Sequence, residues 1–105
     1  MSNYIPLVVG TQTAATGSWT GVTNLAALVD GQTIRYWLPW NGSGNATLNL
    51  TLKDGSTTGA IACYYGGTTR LTTHYGAGNT ILLTYCVNKP INGVNYTGWW
   101  ADTIS

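Results

Sequence analysis

The run Ala46-Thr47-Leu48-Asn49-Leu50-Thr51-Leu52-Lys53 alternates strictly, with Leu48, Leu50 and Leu52 on one side and Thr47, Asn49 and Thr51 on the other. Side chains with period two face opposite sides of a pleated strand, so one face of this segment is core and the other is wet. Asp54-Gly55 follows, the favoured pair for a two-residue type I′ hairpin turn. Pairing across that turn sets Leu48 opposite Ile61 and Ala46 opposite Cys63.

Register must keep one face apolar, and this rule carries the reading onward. At Gly66-Gly67 a two-residue loop would turn Leu71 outward, whereas a three-residue loop over Gly66 to Thr68 keeps Leu71 opposite Cys63. A further turn over Gly76 to Thr80 buries Ile81, Leu83, Tyr85 and Val87 and sets Leu83 beside Thr73 and Tyr85 beside Leu71. The expectation is a four-stranded antiparallel meander over residues 46 to 87. Gly31 to Leu38 reads as another strand, alternating Ile34, Tyr36 and Leu38 against Thr33, Arg35 and Trp37, and Pro39 ends it. Leu25 to Val29 is too short to sustain a helix and is assigned as a connector. Tyr4 to Val9 and Tyr96 to Ala101 are terminal strands, with Pro6 pushing the first toward a sheet edge.

A chain of 105 residues holds one domain with one core, so residues 1–105 are read as a single unit. The 14 glycines supply turns, and the many Thr, Tyr and Trp residues suit half-buried strands. About seven strands in one small domain predict an all-β fold, a small antiparallel β-sandwich or jelly-roll-like barrel.

Charge removes several function classes. Nucleic-acid affinity comes largely from many Lys and Arg contacts to phosphate, and only Arg35, Arg70, Lys53 and Lys89 are present. No apolar run approaches the roughly 20 residues of a membrane-spanning helix, so membrane insertion is not expected. Met1-Ser2-Asn3-Tyr4 shows no basic segment leading into an apolar one. Acid–base catalysis needs paired titratable groups, and the carboxylates are Asp30, Asp54 and Asp102, the first two each preceding a turn Gly. No Gly-x-Ser-x-Gly elbow surrounds any Ser. Gly42-Ser43-Gly44 and Gly76-Ala77-Gly78 read as hairpin loops rather than phosphate cradles, because neither precedes a helix. His74 is the single His and the Cys pair lacks ligand spacing, so neither zinc nor any other cofactor is expected. The meander register sends Cys63 inward and Cys86 outward two strands away, which predicts free thiols. Asn-x-Ser/Thr tripeptides at Asn41, Asn45, Asn49 and Asn95 are read as chance in an Asn- and Thr-rich chain.

The aromatic residues carry more information. Five Trp and seven Tyr with no Phe means that every large ring has a polar tip, the kind used at interfaces and sugar sites. The plainer reading is that these rings pack the core. Alternation within Trp99-Trp100 sends the two rings to opposite faces, so one lies outside. Trp99 and Trp37 are taken as candidate surface contacts. The outward row of the meander adds Tyr64 opposite Arg70, Thr72 opposite Thr84 and His74 near Leu82, a surface on which Tyr64 can stack a sugar ring and Arg70 donate to hydroxyls. The candidate ligand residues are therefore Trp37, Tyr64, Arg70, His74 and Trp99. Packing against another subunit is the competing reading of the same face.

Five runs together resemble a known module: Asp30-Gly31-Gln32-Thr33-Ile34, Tyr36-Trp37-Leu38-Pro39, Ala46-Thr47-Leu48-Asn49-Leu50-Thr51-Leu52, Thr69-Arg70-Leu71-Thr72-Thr73-His74-Tyr75 and Gly98-Trp99-Trp100-Ala101-Asp102. From Thr11 onward their order and spacing are similar to a module of phage and prophage tail-fibre or minor tail proteins of gut bacteria. The resemblance implies a non-enzymatic virion module at a tail tip, assembled in the bacterial host cytoplasm. It also implies engagement of a host-surface glycan or protein receptor, often as a homotrimer. Relatives of the module often continue past the Trp-Trp-Ala-Asp run, which implies a piece of a longer tail protein. No ligand-contact motif is carried over. The alternatives are a purely structural or trimerising fibre module and a bacterial carbohydrate-binding module or lectin.

Overall fold

In the computed structural model, which describes residues 4–102, most apolar members of the alternating runs turn inward, with Leu52 half-buried at the end of its run. Leu48 and Leu50, Ile34, Tyr36 and Leu38, and Ile81 and Leu83 are all buried, and burial of such rows is the main driving force for the fold. The strands are β1 (Leu7–Val9), β2 (Thr16–Val22), β3 (Thr33–Trp37), β4 (Gly42–Thr51), β5 (Ile61–Gly66), β6 (Thr69–Arg70), β7 (Thr80–Ile91) and β8 (Val94–Asp102). The described residues contain no helix, and Leu25 to Val29 is a bent connector. The chain is all-β. Met1 to Asn3, on which the reading of the N-terminus partly rests, lie outside the described residues.

The sheet runs β1-β3-β7-β8-β5-β4-β2, with β6 attached to β5. It is mixed: β1 with β3, β8 with β5 and β4 with β2 are parallel pairs. Its two ends meet at an antiparallel bridge between Gly10 and Gly21, beside the bond from Thr11 N–H to Thr20 O at 3.0 Å. Close approach requires glycine there, since a Cβ on Gly21 would sit 2.7 Å from Val8 Cγ1. The result is a nearly closed, barrel-like sheet rather than the expected antiparallel sandwich.

The meander fails after Leu71. Leu71 N–H donates to Cys63 O at 2.9 Å and Leu71 O accepts from Ala46 N–H at 2.8 Å, so this residue is held from both sides. Beyond it, Thr72, Thr73 and His74 supply no further apolar row. β7 therefore pairs with β3, setting Leu83 against Ile34 and Ile81 against Tyr36, and not with residues 71–75. The expected neighbours Thr72–Thr84 and His74–Leu82 are replaced by Thr33–Thr84 and Arg35–Leu82. Val87, expected inside, is exposed because β7 has by then run past the end of β3.

Two local turns differ from expectation and still set Leu48 opposite Ile61 and Tyr64 opposite Arg70, but the β4–β5 ladder ends before the expected Ala46–Cys63 pair because the Ala46 N–H turns to Leu71 O. Asp54-Gly55 belongs to a three-residue loop closed by Leu52 N–H to Ser56 O at 2.7 Å, but one extra residue between Thr58 and Ile61 restores Leu48 opposite Ile61. At the next turn Gly66 pairs with Thr69 around a two-residue turn, and a bulge between Tyr64 and Gly66 keeps Tyr64 opposite Arg70. Gly42-Ser43-Gly44, expected as a hairpin loop, opens β4 instead, where the ladder to β2 is irregular between Gly42 and Thr47.

β7 and β8 form a long hairpin closed by Asn92-Gly93, both with positive φ (50° and 81°) and flanked by the pair Ile91–Val94. Asn-Gly is a strong short hairpin signal, although Asn41-Gly42 carries the same pair and opens β4 instead. A bulge between Cys86 and Lys89 shifts the register of this hairpin. Asp30 caps the strand beside the bulge, accepting Val87 N–H at 2.9 Å and pairing with Lys89 Nζ at 3.2 Å.

Inside, the rings of Trp19 and Tyr36 stack at 5.6 Å. The Tyr36 hydroxyl lies 2.9 Å from both Thr20 O and Gln12 Oε1, which satisfies a polar tip that burial would otherwise penalise. Cys63 and Cys86 are free. β8 separates their strands, and because Trp99 pairs with Cys63 on one side and Tyr85 on the other, Cys86 faces the opposite surface.

Candidate functional site

Five strands contribute to one row on the outer face: Thr33 (β3), Thr84 (β7), Trp100 (β8), Tyr64 (β5) and Arg70 (β6), each the register partner of the next. Neighbouring strands lie about 4.8 Å apart, close enough for rings standing on adjacent strands to stack. Tyr64 and Trp100 do so, with centroids 4.6 Å apart and planes 13° from parallel. Trp100 Nε1 donates to Gly67 O at 2.8 Å, which fixes the indole from its other end. Tyr96 adds an edge contact to Tyr64 at 6.1 Å.

Arg70 flanks Tyr64 on the side away from Trp100, its guanidinium carbon 5.7 Å from the ring centroid. The same guanidinium donates to Cys63 O at 3.3 Å and to Ala46 O at 2.8 Å. Its donors therefore serve first to satisfy backbone carbonyls where β4 and β5 separate. Tyr64, with Arg70 on one side and Trp100 on the other, has no ring face left for a ligand. Trp100 is half-buried, and among the described residues its only ring contact is the one with Tyr64.

A second aromatic cluster lies at the end of β5, where His74 stacks on Tyr65 at 3.9 Å and Tyr75 tilts against Tyr65 at 6.2 Å. His74 Nδ1 accepts Thr72 N–H at 3.1 Å, so the imidazole carries its proton on Nε2.

Of the residues singled out from sequence, Tyr64 and Arg70 meet in the row and His74 joins the second cluster. Trp37 stands apart on β3 between Val9 and Thr80, four residues or about 13 Å along the strand from Thr33. Trp99 has zero exposure and lies inside, its ring 5.4 Å from that of Tyr85 and its indole N–H unpaired. Trp100 takes the outer position instead. The bulge between Cys86 and Lys89 makes this assignment: an unbroken ladder from Ile91–Val94 would have set Trp100 opposite Tyr85, whereas the observed partner of Tyr85 is Trp99. Trp100, Tyr96 and Tyr65 were the residues missed. The Asn92-Gly93 turn would have located β8, but nothing in the alternation marks the bulge.

Among the described residues no group of three or more His, Cys, Asp or Glu is placed to hold a metal ion. Comparison with protein-family models, with curated proteins and with solved structures gives no match to this chain.

Proposed function

We propose that the chain is a non-enzymatic module of a phage tail fibre that takes part in recognition of glycan on the host-cell surface. The observation that carries this reading is the Tyr64–Trp100 stack, pinned by Gly67 O and edged by Tyr96, on the outer face of a chain of which only 7% is charged. Rigid amphipathic rings supply contact area at low entropic cost, and hydroxyl-rich neighbours supply hydrogen bonds, which suits an uncharged polyhydroxylated ligand. The resemblance of five sequence runs to tail-fibre modules supports the virion setting, and with it assembly in the host cytoplasm. Presentation as a homotrimer would raise the avidity of weak single sites by orders of magnitude.

A glycan array probed with the isolated chain and with a trimerised form tests the reading. Binding that is weak for the single chain and strong for the trimer is the expected result. Equal, tight binding by the monomer favours a free-standing lectin. Silence of both forms on host-surface glycans removes the proposal.

A second reading, a structural or trimerising fibre module, draws on exposed Leu7, Val9 and Trp37, which share the outer face of β1 and β3. Sedimentation of the chain decides it: a trimer that protects these residues from solvent and binds no glycan supports the structural role.

A further inference from the structure

Resting on the glycan-recognition reading, we infer that the face of Trp100 turned away from Tyr64, with the hydroxyls of Thr84 and Thr33 beside it, is a subsite for one neutral hexopyranose ring. Tyr64 covers one face of the indole, so the other looks across β8 toward β7 and β3. The side chains next in the row are small. Thr84 and Thr33 are hydrogen-bonded to each other through their Oγ1 atoms at 3.0 Å. Between them the two hydroxyls retain one free proton and several free lone pairs. A ring standing beside two short hydroxyl side chains forms a shallow trough with an apolar wall and a polar floor. That combination fits a sugar laid with its C–H face on the indole and its hydroxyl edge on the threonines.

The trough is built before any ligand arrives. Stacking on Tyr64 and the bond to Gly67 O fix the indole, and the Thr–Thr bond fixes the floor, so little rotamer entropy remains to be lost on binding. Charge plays no part in the trough itself, because Arg70, at the far end of the row, lies beyond Tyr64 with its donors on two backbone carbonyls. Arg35 shares the outer face two positions along β3 from Thr33, at the margin of the trough. The assignment is thus to a neutral sugar rather than an acidic one.

The test uses the indole N–H signals of the five Trp residues in the ¹⁵N-labelled full chain. Methyl β-galactopyranoside, methyl β-glucopyranoside and the methyl glycoside of N-acetylneuraminic acid are titrated in turn. The expected result is a saturable shift of the Trp100 indole with at least one neutral glycoside. Trp100→Ala and, separately, Thr84→Val should weaken binding by at least about tenfold, equivalent to about 1.4 kcal/mol. Unmoved signals from the interior Trp19 and Trp99 show that each variant is folded; Thr84→Val keeps the shape of the side chain and so tests the hydroxyl alone. Shifts confined to Trp37 or Trp40, variants that bind like the parent chain, or stronger binding of the acidic glycoside each overturn the subsite. So does silence of both neutral glycosides while the array scores another glycan, and in all four cases the broader reading survives. If neither array nor titration detects any sugar, both fall together.

Discussion

Arg70 donates from Nη2 to Ala46 O at 2.8 Å and thereby closes the place where β4 and β5 diverge. The ladder between these strands covers Thr47–Ala62 and Leu48–Ile61, and the next N–H, that of Ala46, turns to Leu71 O instead. The side chain completes what the sheet leaves open. Removing it strands a carbonyl, at a cost of about 1–3 kcal/mol. Arg70→Ala should lower the urea midpoint accordingly, and Arg70→Lys should recover only part of the loss, because an ammonium lacks the fork that reaches two carbonyls. A midpoint equal to that of the parent chain would show that the bond contributes nothing.

Gly98 lies on β8 beside β5, one residue before the Cys63–Trp99 pair. A Cβ there would meet Ala62 O at 2.6 Å and the Tyr64 ring at 2.8 Å. Backbone cannot give way as a side chain can, so Gly98→Ala should destabilise by about 1–3 kcal/mol, the range for overpacking. It should also disturb the Tyr64–Trp100 stack, seen as a moved Trp100 indole signal. A thermal melt paired with that spectrum checks both, and an unchanged melt contradicts the close approach.

Stability should be flat near neutral pH and fall on both sides. Asp30 is held below the ordinary value of 3.8 chiefly by the Val87 N–H, with Lys89 adding to it, and Asp54 is lowered by the hydroxyl and N–H of Ser56. Groups lowered on folding contribute stability that is present above 3.8 and lost as pH falls through the folded values. Burial acts at the other end, pushing the Cys63 thiol from 9.0 up to about 12 and raising the Tyr36 phenol as well. Their contribution is complete below 9.0 and drains away as pH rises toward 12. Denaturation midpoints at about pH 3, 7 and 10.5 trace the curve, and Asp30→Asn with Asp54→Asn should flatten only the acid side.

The two thiols should differ sharply in reactivity. The thiolate is the nucleophile, and Cys63 is both fully buried and held protonated by that burial. Cys86, half-buried, is raised too, again chiefly by burial, but solvent reaches it. A disulfide reagent should titrate one thiol per native chain, slowly, and two after denaturation. Mild oxidation should leave the pair unlinked within one chain, since their side chains leave opposite faces two strands apart. Rapid modification of both thiols in the folded protein would contradict the placement of Cys63.

Local chemistry made a good part of this molecule legible. Leu48 and Leu50, Ile34, Tyr36 and Leu38, and Ile81 and Leu83 could be assigned to the interior because alternation is imposed by the pleat of a single strand, whatever its neighbours. Tyr64 could be set against Arg70 because a short turn brings them together. Partner choice was another matter. A period of two says which face is apolar but not which of several apolar rows it will meet, so the pairing of β7 with β3 and of β8 with β5 emerged only from the fit of the nearly closed sheet. The exchange of Trp99 and Trp100 shows the limit most clearly. One bulge between Cys86 and Lys89 reverses which ring is inside, because a one-residue shift in a strand of period two turns every later side chain over. The amino-acid order thus determined the faces; the assembled sheet decided the neighbours, and with them the surface that the protein presents.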